Sequence, residues 1–280
     1  MTVTRIGFAY NPTIEAAVEL SARAAGWCQM RKIDQWQAQS GDQEVLVREL
    51  ATTDALVVLG GDGTFLRAVR AVAEVDVPIL GINLGKVGFL SKAETEDLVP
   101  LLDHLREGRY TLEERMALTG SILPRAGAER TTFTALNDIV VARGSLARVV
   151  RLDVEIDDSH LATFIADGLV VSSPTGSTGY SFSAGGPILD PSSRNLVVTP
   201  IAGYLSAIRS VVVSPHQTVI CRVVDAYEAL VSIDGREDLP LAVGDVVEVR
   251  AMERSIRFVE PEGALPFWDL LRTKVQLLPS

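Results

Sequence analysis

The first hundred or so residues alternate short apolar runs with stretches of helical periodicity. Arg5–Tyr10 reads as a strand and Asn11-Pro12 as a turn, after which Thr13 is placed to cap an amphipathic helix running to about Ala25. Trp27–Ile33 and Ala55–Leu59 read as further strands, the second ending in Gly60-Gly61-Asp62-Gly63-Thr64. A helix is expected over Phe65–Glu74, with Arg67, Arg70 and Glu74 on one polar face. Val77–Ile82 follows as a strand, then a helix over Thr95–Glu107 that stops at Gly108. Such alternation predicts a parallel sheet with helices on its faces.

After Gly108 the texture changes. Leu152–Asp157 alternates apolar and charged residues, the mark of a half-buried strand, and Asp158-Ser159-His160 is read as its turn. Short β-branched runs recur at Thr131–Leu136, Ile139–Val141, Leu169–Ser172, Leu196–Thr199, Val211–Val213, Val219–Val224, Leu230–Ile233 and Val246–Val249. Turn residues separate them, which predicts a sandwich or a folded-over antiparallel sheet. Pro266–Lys274 reads as a short helix with Phe267, Leu270 and Leu271 on one face. Such a helix needs apolar surface to cover, so it is expected to pack back on the first domain. The expected domains are 1–110 with 265–280, and 111–264, in keeping with a chain of 280 residues.

Composition narrows the class. With 47% apolar and 22% charged residues, disorder and collagen-like repeats are excluded for the chain as a whole. No run of eighteen apolar residues exists to span a membrane, and the start lacks the basic head and long apolar stretch of a signal peptide. Cys28 and Cys221 are far apart, which supports neither a disulfide framework nor a zinc site and fits a reducing cytoplasm. The net charge of −10 repels a nucleic-acid backbone, so no nucleic-acid or membrane partner is expected. Against that acidity, residues 139–152 carry Arg143, Arg148 and Arg151 with no acidic neighbour among them, either a solvated face or a local anion site.

The Gly60–Thr64 turn leads from a buried strand into a helix N-terminus, where unpaired N–H groups and the positive end of the dipole face outward. Glycines let that backbone approach phosphate oxygens closely. Asp62 opposes an anion there, so it either caps the helix or acts on a proton or a metal. No Walker-type loop, no G-x-G-x-x-G and no G-x-S-x-G elbow occurs, and His104, His160 and His216 are scattered without a partner pattern. No carboxylate cluster spells out a protein-built metal cage.

Residues 172–187 are the most informative. Half of these sixteen carry a hydroxyl, four are glycine and none is charged, a composition suited to the hydroxyls, amides and ring nitrogens of a nucleoside. Tyr180 offers an aromatic face for a base. Asn137-Asp138 reads as a turn pair or as an amide and carboxylate holding a ribose diol, and Asp167-Gly168 as a turn or a polar contact.

These pieces, in this order, resemble the NAD kinase family. Gly60–Thr64 is similar to its GGDGT motif, shared with diacylglycerol, sphingosine and phosphofructokinase-like kinases, and Gly81–Leu90 to its next glycine-rich segment. Asn137-Asp138 stands where the family has Asn-Glu. Asp167-Gly168 and Ser173–Ser181, through Gly185-Gly186-Pro187, resemble its longest and most selective signature. The fold this implies is an α/β N-terminal domain with a Rossmann-like parallel sheet, a β-sandwich-like all-β C-terminal domain, and a C-terminal helix packing back on the first.

The activity implied is transfer of the ATP γ-phosphoryl group to the 2′-hydroxyl of the adenosine ribose of NAD, in a homodimer or homotetramer. By the resemblance Asp62 is the catalytic base, and Gly60, Gly61, Gly63 and Thr64 form the phosphate loop with Mg²⁺ carried by ATP. Asn137 and Asp138 would hold ribose hydroxyls. Thr178, Gly179, Tyr180, Ser181, Phe182 and Ser183 would line the dinucleotide pocket. Asp167 would contact the nicotinamide side, while Arg148 and Arg67 would meet phosphates. Ile165 replaces a residue that is polar or basic in many members, which bears on the choice between NAD and NADH. Arg236 stands where a late segment, Ser232–Arg236, usually ends in glutamine. The competing readings are a lipid or sugar kinase of the GGDGT group and a non-catalytic dinucleotide-binding regulator.

Overall fold

The computed structural model describes residues 3–276 apart from 86, 87, 92, 126, 128, 146, 147, 205 and 206. The chain divides into two compact units, Met1–Glu114 with Ile256–Ser280, and Arg115–Ser255.

The first unit opens with β1 (Arg5–Tyr10), α1 (Glu15–Arg31), β2 (Asp34–Gln39), α2 (Gln43–Leu50), β3 (Ala55–Leu59), α3 (Asp62–Glu74) and β4 (Ile79–Ile82). A 3₁₀ turn at Thr95–Asp97 leads into α4 (Leu98–Glu107) and β5 (Tyr110–Arg115). The order within the sheet reverses between β1 and β3, so the turn after β3 lies at a topological switch point, where open α/β sheets bind ligands. β3 is buried along its whole length, as its unbroken apolar run implies.

Three expectations change here. Trp27–Ile33 is not a strand: α1 runs through to Arg31, because Ala17, Leu20, Ser21, Ala24, Trp27 and Cys28 keep one buried helical face, and Lys32 ends it in the left-handed region at φ 56°. The following strand is the polar β2. Thr13 does not cap α1, since the cap residue is Ile14 and the Thr13 hydroxyl donates to the Asn11 side chain at 2.9 Å. α2, for which no expectation stands, starts where the Asp42 carboxylate accepts from the Val45 N–H at 3.2 Å. Gly108 ends α4 as expected, at φ 72°.

The second unit is built from β6 (Leu118–Leu123), β7 (Thr131–Ala135), β8 (Asp138–Arg143), β9 (Val150–Ile156), β10 (Ser159–Ala166) and β11 (Gly168–Ser172). A 3₁₀ turn at Thr175–Thr178 and the one-turn α5 (Tyr180–Ser183) follow. Then come β12 (Leu196–Ile201), β13 (Val211–Val213), β14 (Val219–Asp225), β15 (Ala229–Ile233), β16 (Glu237–Leu241) and β17 (Val246–Ala251). Two six-stranded antiparallel sheets, ordered β10-β9-β14-β17-β6-β7 and β13-β12-β11-β8-β15-β16, share one core. Leu152, Val154 and Val247 from one sheet meet Ile139, Leu169 and Val231 from the other, an arrangement of sandwich type. The turn after β9 is Asp157-Asp158, with Asp157 at φ 53°; Ser159 and His160 already belong to β10.

The chain re-enters the first sheet as β18 (Ile256–Pro261), parallel to β4, so the return comes before residue 265. α6 (Phe267–Gln276) then buries Leu270 and sets the Phe267 ring 6.2 Å from that of Phe89, in the same unit. Among the described residues no helix is long and apolar enough to cross a membrane.

Candidate functional site

In the first unit the chemistry gathers at the turn between β3 and α3. Gly61 is the helix cap, with extended backbone and no side-chain cap bond, so Asp62 is a helical residue and does not cap α3. Its carboxylate turns to the neighbouring loop, where Oδ2 accepts from the Phe89 N–H and Oδ1 from the Leu90 N–H, each at 3.3 Å. Gly88 makes this approach possible, because a Cβ there would fall 2.2 Å from Asp62 Oδ1. Two long hydrogen bonds orient a carboxylate without using up its four lone-pair sites.

The same loop braces the glycine turn. The Ser91 hydroxyl donates to the Gly60 carbonyl at 3.2 Å, and the Gly60 N–H donates to Ile82 at 2.9 Å. Lys86 and Val87 of this glycine-rich segment lie outside the described residues. Gly63 sits in the first turn of α3, half-buried, and Thr64 beside it is buried. Arg67 lies one turn further on, its Cδ 3.7 Å from where a Gly41 Cβ would stand, so its stem faces the turn between β2 and α2.

The second unit has its own polar pocket, a cavity of roughly 430 Å³ lined by Asn137, Asp138, Val140, Gly179, Tyr180 and Asp234, among others. That volume suits a nucleoside-sized group. Asp138 starts β8 and is only 6% exposed. Burial, then the nearby Asp234 carboxylate, push its carboxyl up to about 7. Among the described residues no donor reaches its side chain to offset that cost.

Asp234 is the residue that sequence reading missed. Buried at φ 51° in the turn between β15 and β16, it accepts from the main-chain N–H groups of Leu136 (3.0 Å), Asn137 (2.7 Å) and Asp138 (3.2 Å). The Asp-Gly pair signals a turn, and nothing local shows that its carboxylate organises a strand end 97 residues upstream.

The hydroxyl-rich segment divides into two layers. Ser172, Ser173 and Ser177 are fully buried, and they spend their hydroxyls on the carbonyls of Asn137, Leu136 and Pro174 at 3.3, 2.5 and 2.6 Å. These serines fasten the loop and do not present donors to a ligand. Gly176 closes the same joint, since a Cβ there would lie 2.1 Å from the Asn137 oxygen. Ser181 is also fully buried, its hydroxyl 2.5 Å from where a Gly186 Cβ would stand. Tyr180 and Phe182 are 47% and 49% exposed, and Ser183 is exposed with them. Thr178 is half-buried, its hydroxyl 3.4 Å from the Thr175 carbonyl.

Asp167 is already engaged: Arg143 Nε donates to Oδ1 at 2.7 Å and Nη2 to Oδ2 at 3.3 Å. Arg148 is exposed, its guanidinium 5.5 Å from the centre of the Tyr227 ring. Arg236, in the turn after β15, donates its N–H to Ile233 at 3.1 Å. Gly60–Thr64 and Arg67 thus belong to the first unit, and the other expected site residues to the second. Among the described residues no group of three or more His, Cys, Asp or Glu side chains gathers.

A glycine turn at a helix N-terminus on an α/β unit, and an aromatic-edged polar pocket in an all-β unit, are the parts that a nucleotide-dependent phosphotransferase needs. Comparison with known proteins makes the class specific. The ATP-NAD kinase N-terminal domain matches residues 7–110, and the ATP-NAD kinase C-terminal domain matches residues 136–261. The NAD kinase of Dehalococcoides mccartyi is 35% identical over 272 residues, covering 97% of this chain and 96% of that protein. The NAD kinase of Symbiobacterium thermophilum is 44% identical over 223 residues, 79% of this chain and 78% of its own. Yeast NADH kinase complexed with NADH shares the fold, with a TM-score of 0.86 at 23% identity, covering 99% of this chain and 88% of that one. An NAD kinase from Archaeoglobus fulgidus in complex with ATP gives a TM-score of 0.78 at 25% identity, over 98% and 100% of the two chains. The chain belongs to the NAD kinase family.

Proposed function

We propose that the chain transfers the γ-phosphoryl group of ATP to the 2′-hydroxyl of the adenosine ribose of NAD, giving NADP, with Asp62 as the general base. The observation that carries the base assignment is the Asp62 carboxylate itself, which leaves its own helix start alone and is aimed by the Phe89 and Leu90 N–H groups. A ribose hydroxyl is a poor nucleophile, and a positioned carboxylate orients it and takes its proton as the bond to phosphorus forms. The main chain of Gly60, Gly61, Gly63 and Thr64 supplies N–H groups and the positive end of α3 for the transferring phosphoryl oxygens.

In the second unit, the Asn137 amide and the Asp138 carboxylate would hold ribose hydroxyls, and Tyr180 would stack on a base with Thr178, Gly179, Ser181, Phe182 and Ser183 around it. Asp167 would face the nicotinamide side, and Arg148 and Arg67 would meet phosphates. A divalent ion such as Mg²⁺ fits a hard carboxylate oxygen like that of Asp62 and would be held mainly by ATP, neutralising charge on its phosphates. The free, buried Cys28 and Cys221 accord with a cytoplasmic setting, and assembly as a homodimer or homotetramer completes the proposal. Family membership favours this reading over a lipid or sugar kinase, and a carboxylate presented to a phosphate loop disfavours a mere binder. The test is incubation with ATP, Mg²⁺ and NAD, with NADP detected by an NADP-specific dehydrogenase. Absence of product with every divalent ion and phosphoryl donor tried would remove the proposal.

A further inference from the structure

Arg143 sets a charged side chain against that of Asp167. It ends β8, and its main-chain N–H donates to the Asp167 carbonyl at 3.0 Å, which fixes the two residues side by side. Its guanidinium meets the Asp167 carboxylate edge-on through Nε and Nη2, while Nη1 donates to the Ser145 carbonyl at 2.6 Å. All three nitrogens are therefore placed, in the forked geometry that only arginine supplies. Glu228 is occupied by the Ser145 hydroxyl, and Arg148 lies over Tyr227. Ile165, two residues before Asp167, is apolar, so β8 supplies the cation that touches this carboxylate.

We propose that Arg143 is a specificity-determining residue, which by clasping Asp167 cancels its charge beside the nicotinamide and so weakens discrimination between the oxidised and reduced dinucleotide. The inference rests on the reading, made above, that Asp167 faces the nicotinamide side. The oxidised ring is a cation and the reduced ring is neutral. An unpaired carboxylate beside the ring favours the oxidised form, an unpaired guanidinium disfavours it, and the closed pair does neither. The side chains are 23% and 39% exposed, so solvent screens the effect and keeps it modest.

The experiment compares the ratio of kcat/KM for NAD to kcat/KM for NADH, with ATP as donor, in the wild type, Arg143→Met, Asp167→Asn and the double variant. Arg143→Met is expected to raise the ratio about fivefold, an effect that shrinks with added salt. Asp167→Asn is expected to lower it, and the double variant to return it close to the wild-type value. Arg143→Lys, which keeps the charge and loses the fork, is expected to hold the ratio while lowering both constants. An unchanged KM for ATP confirms that the variants are folded. If Asp167→Asn shifts the ratio while Arg143→Met lowers both constants equally, Arg143 is only a brace and the proposal is overturned. If Asp167→Asn leaves both constants unchanged, the placement of Asp167 at the nicotinamide is itself wrong and the proposal falls with it.

Discussion

Asp234 holds a carboxylate oxygen 2.7 Å from the main-chain nitrogen of Asn137, and through that bond a hairpin turn sets the strand end from which Asn137 and Asp138 project. The same carboxylate accepts from Leu136 and Asp138, so one buried group satisfies three consecutive donors. Its charge also stands close enough to Asp138 to raise that residue's affinity for a proton.

Replacing Asp234 with alanine leaves buried N–H groups without a partner, at about 1–3 kcal/mol for each unsatisfied group. Asp234→Ala is expected to lose at least about 2 kcal/mol in urea denaturation and to weaken NAD binding. Asp234→Asn keeps one acceptor oxygen and is expected to lose less. Equal stability of all three proteins would mean that the turn does not organise the strand end.

Asp138 gives the protein a pH signature. In the unfolded chain its carboxyl titrates near 3.8, and in the folded protein at about 7. Between those values the folded state keeps a proton that the unfolded chain has released, so this group's contribution to stability is lost as pH rises from about 4 to about 7. Denaturation midpoints measured across that range should fall for the wild type relative to Asp138→Asn and run parallel above it. NAD affinity should improve through the upper end of the range, because the ionised form accepts two ribose hydroxyl bonds. Parallel curves at every pH would show an ordinary carboxyl.

Tyr180 presents its ring to solvent at the pocket edge. Stacking of a base on an aromatic ring contributes about 1–3 kcal/mol, so Tyr180→Ala is expected to raise KM for NAD roughly tenfold with little change in KM for ATP. Tyr180→Phe keeps the face and is expected to bind nearly as the wild type. A Phe variant as weak as the Ala variant would shift the role to the hydroxyl.

Phe267 on α6 meets Phe89, whose own N–H orients Asp62. Such an aromatic pair contributes about 0.5–1.5 kcal/mol beyond its buried area. Phe267→Ala is expected to lower Tm by a few degrees and kcat about threefold, since the loop that aims the carboxylate loses a support. An unchanged kcat would confine α6 to a covering role.

How much of this was legible depended on whether the signal was local. Ala55–Leu59 and the glycine turn after it are readable because a five-residue apolar run rich in valine and leucine, bounded by glycines, fits a buried strand. Asn137-Asp138 and Tyr180 are marked by residue type together with their place in the motifs that resemble the family's. β2 was hidden because it is a polar edge strand with only Trp36 and Ala38 facing inward, and the apolar residues just before it extend α1 instead. β18 was hidden for a topological reason: nothing in Ile256–Pro261 says that the chain returns to a sheet begun at Arg5. The serines at 172, 173 and 177 suggested a ligand surface, yet a sharp loop against a strand end needs those hydroxyls for its own carbonyls.

The role of Asp62 is tested most directly by Asp62→Asn, measuring NADP formation beside calorimetric titration of the same protein with nucleotide. The account predicts a fall in kcat of about a hundredfold or more, with ATP and NAD still bound, as loss of a general base requires. Turnover near the wild-type rate would contradict it.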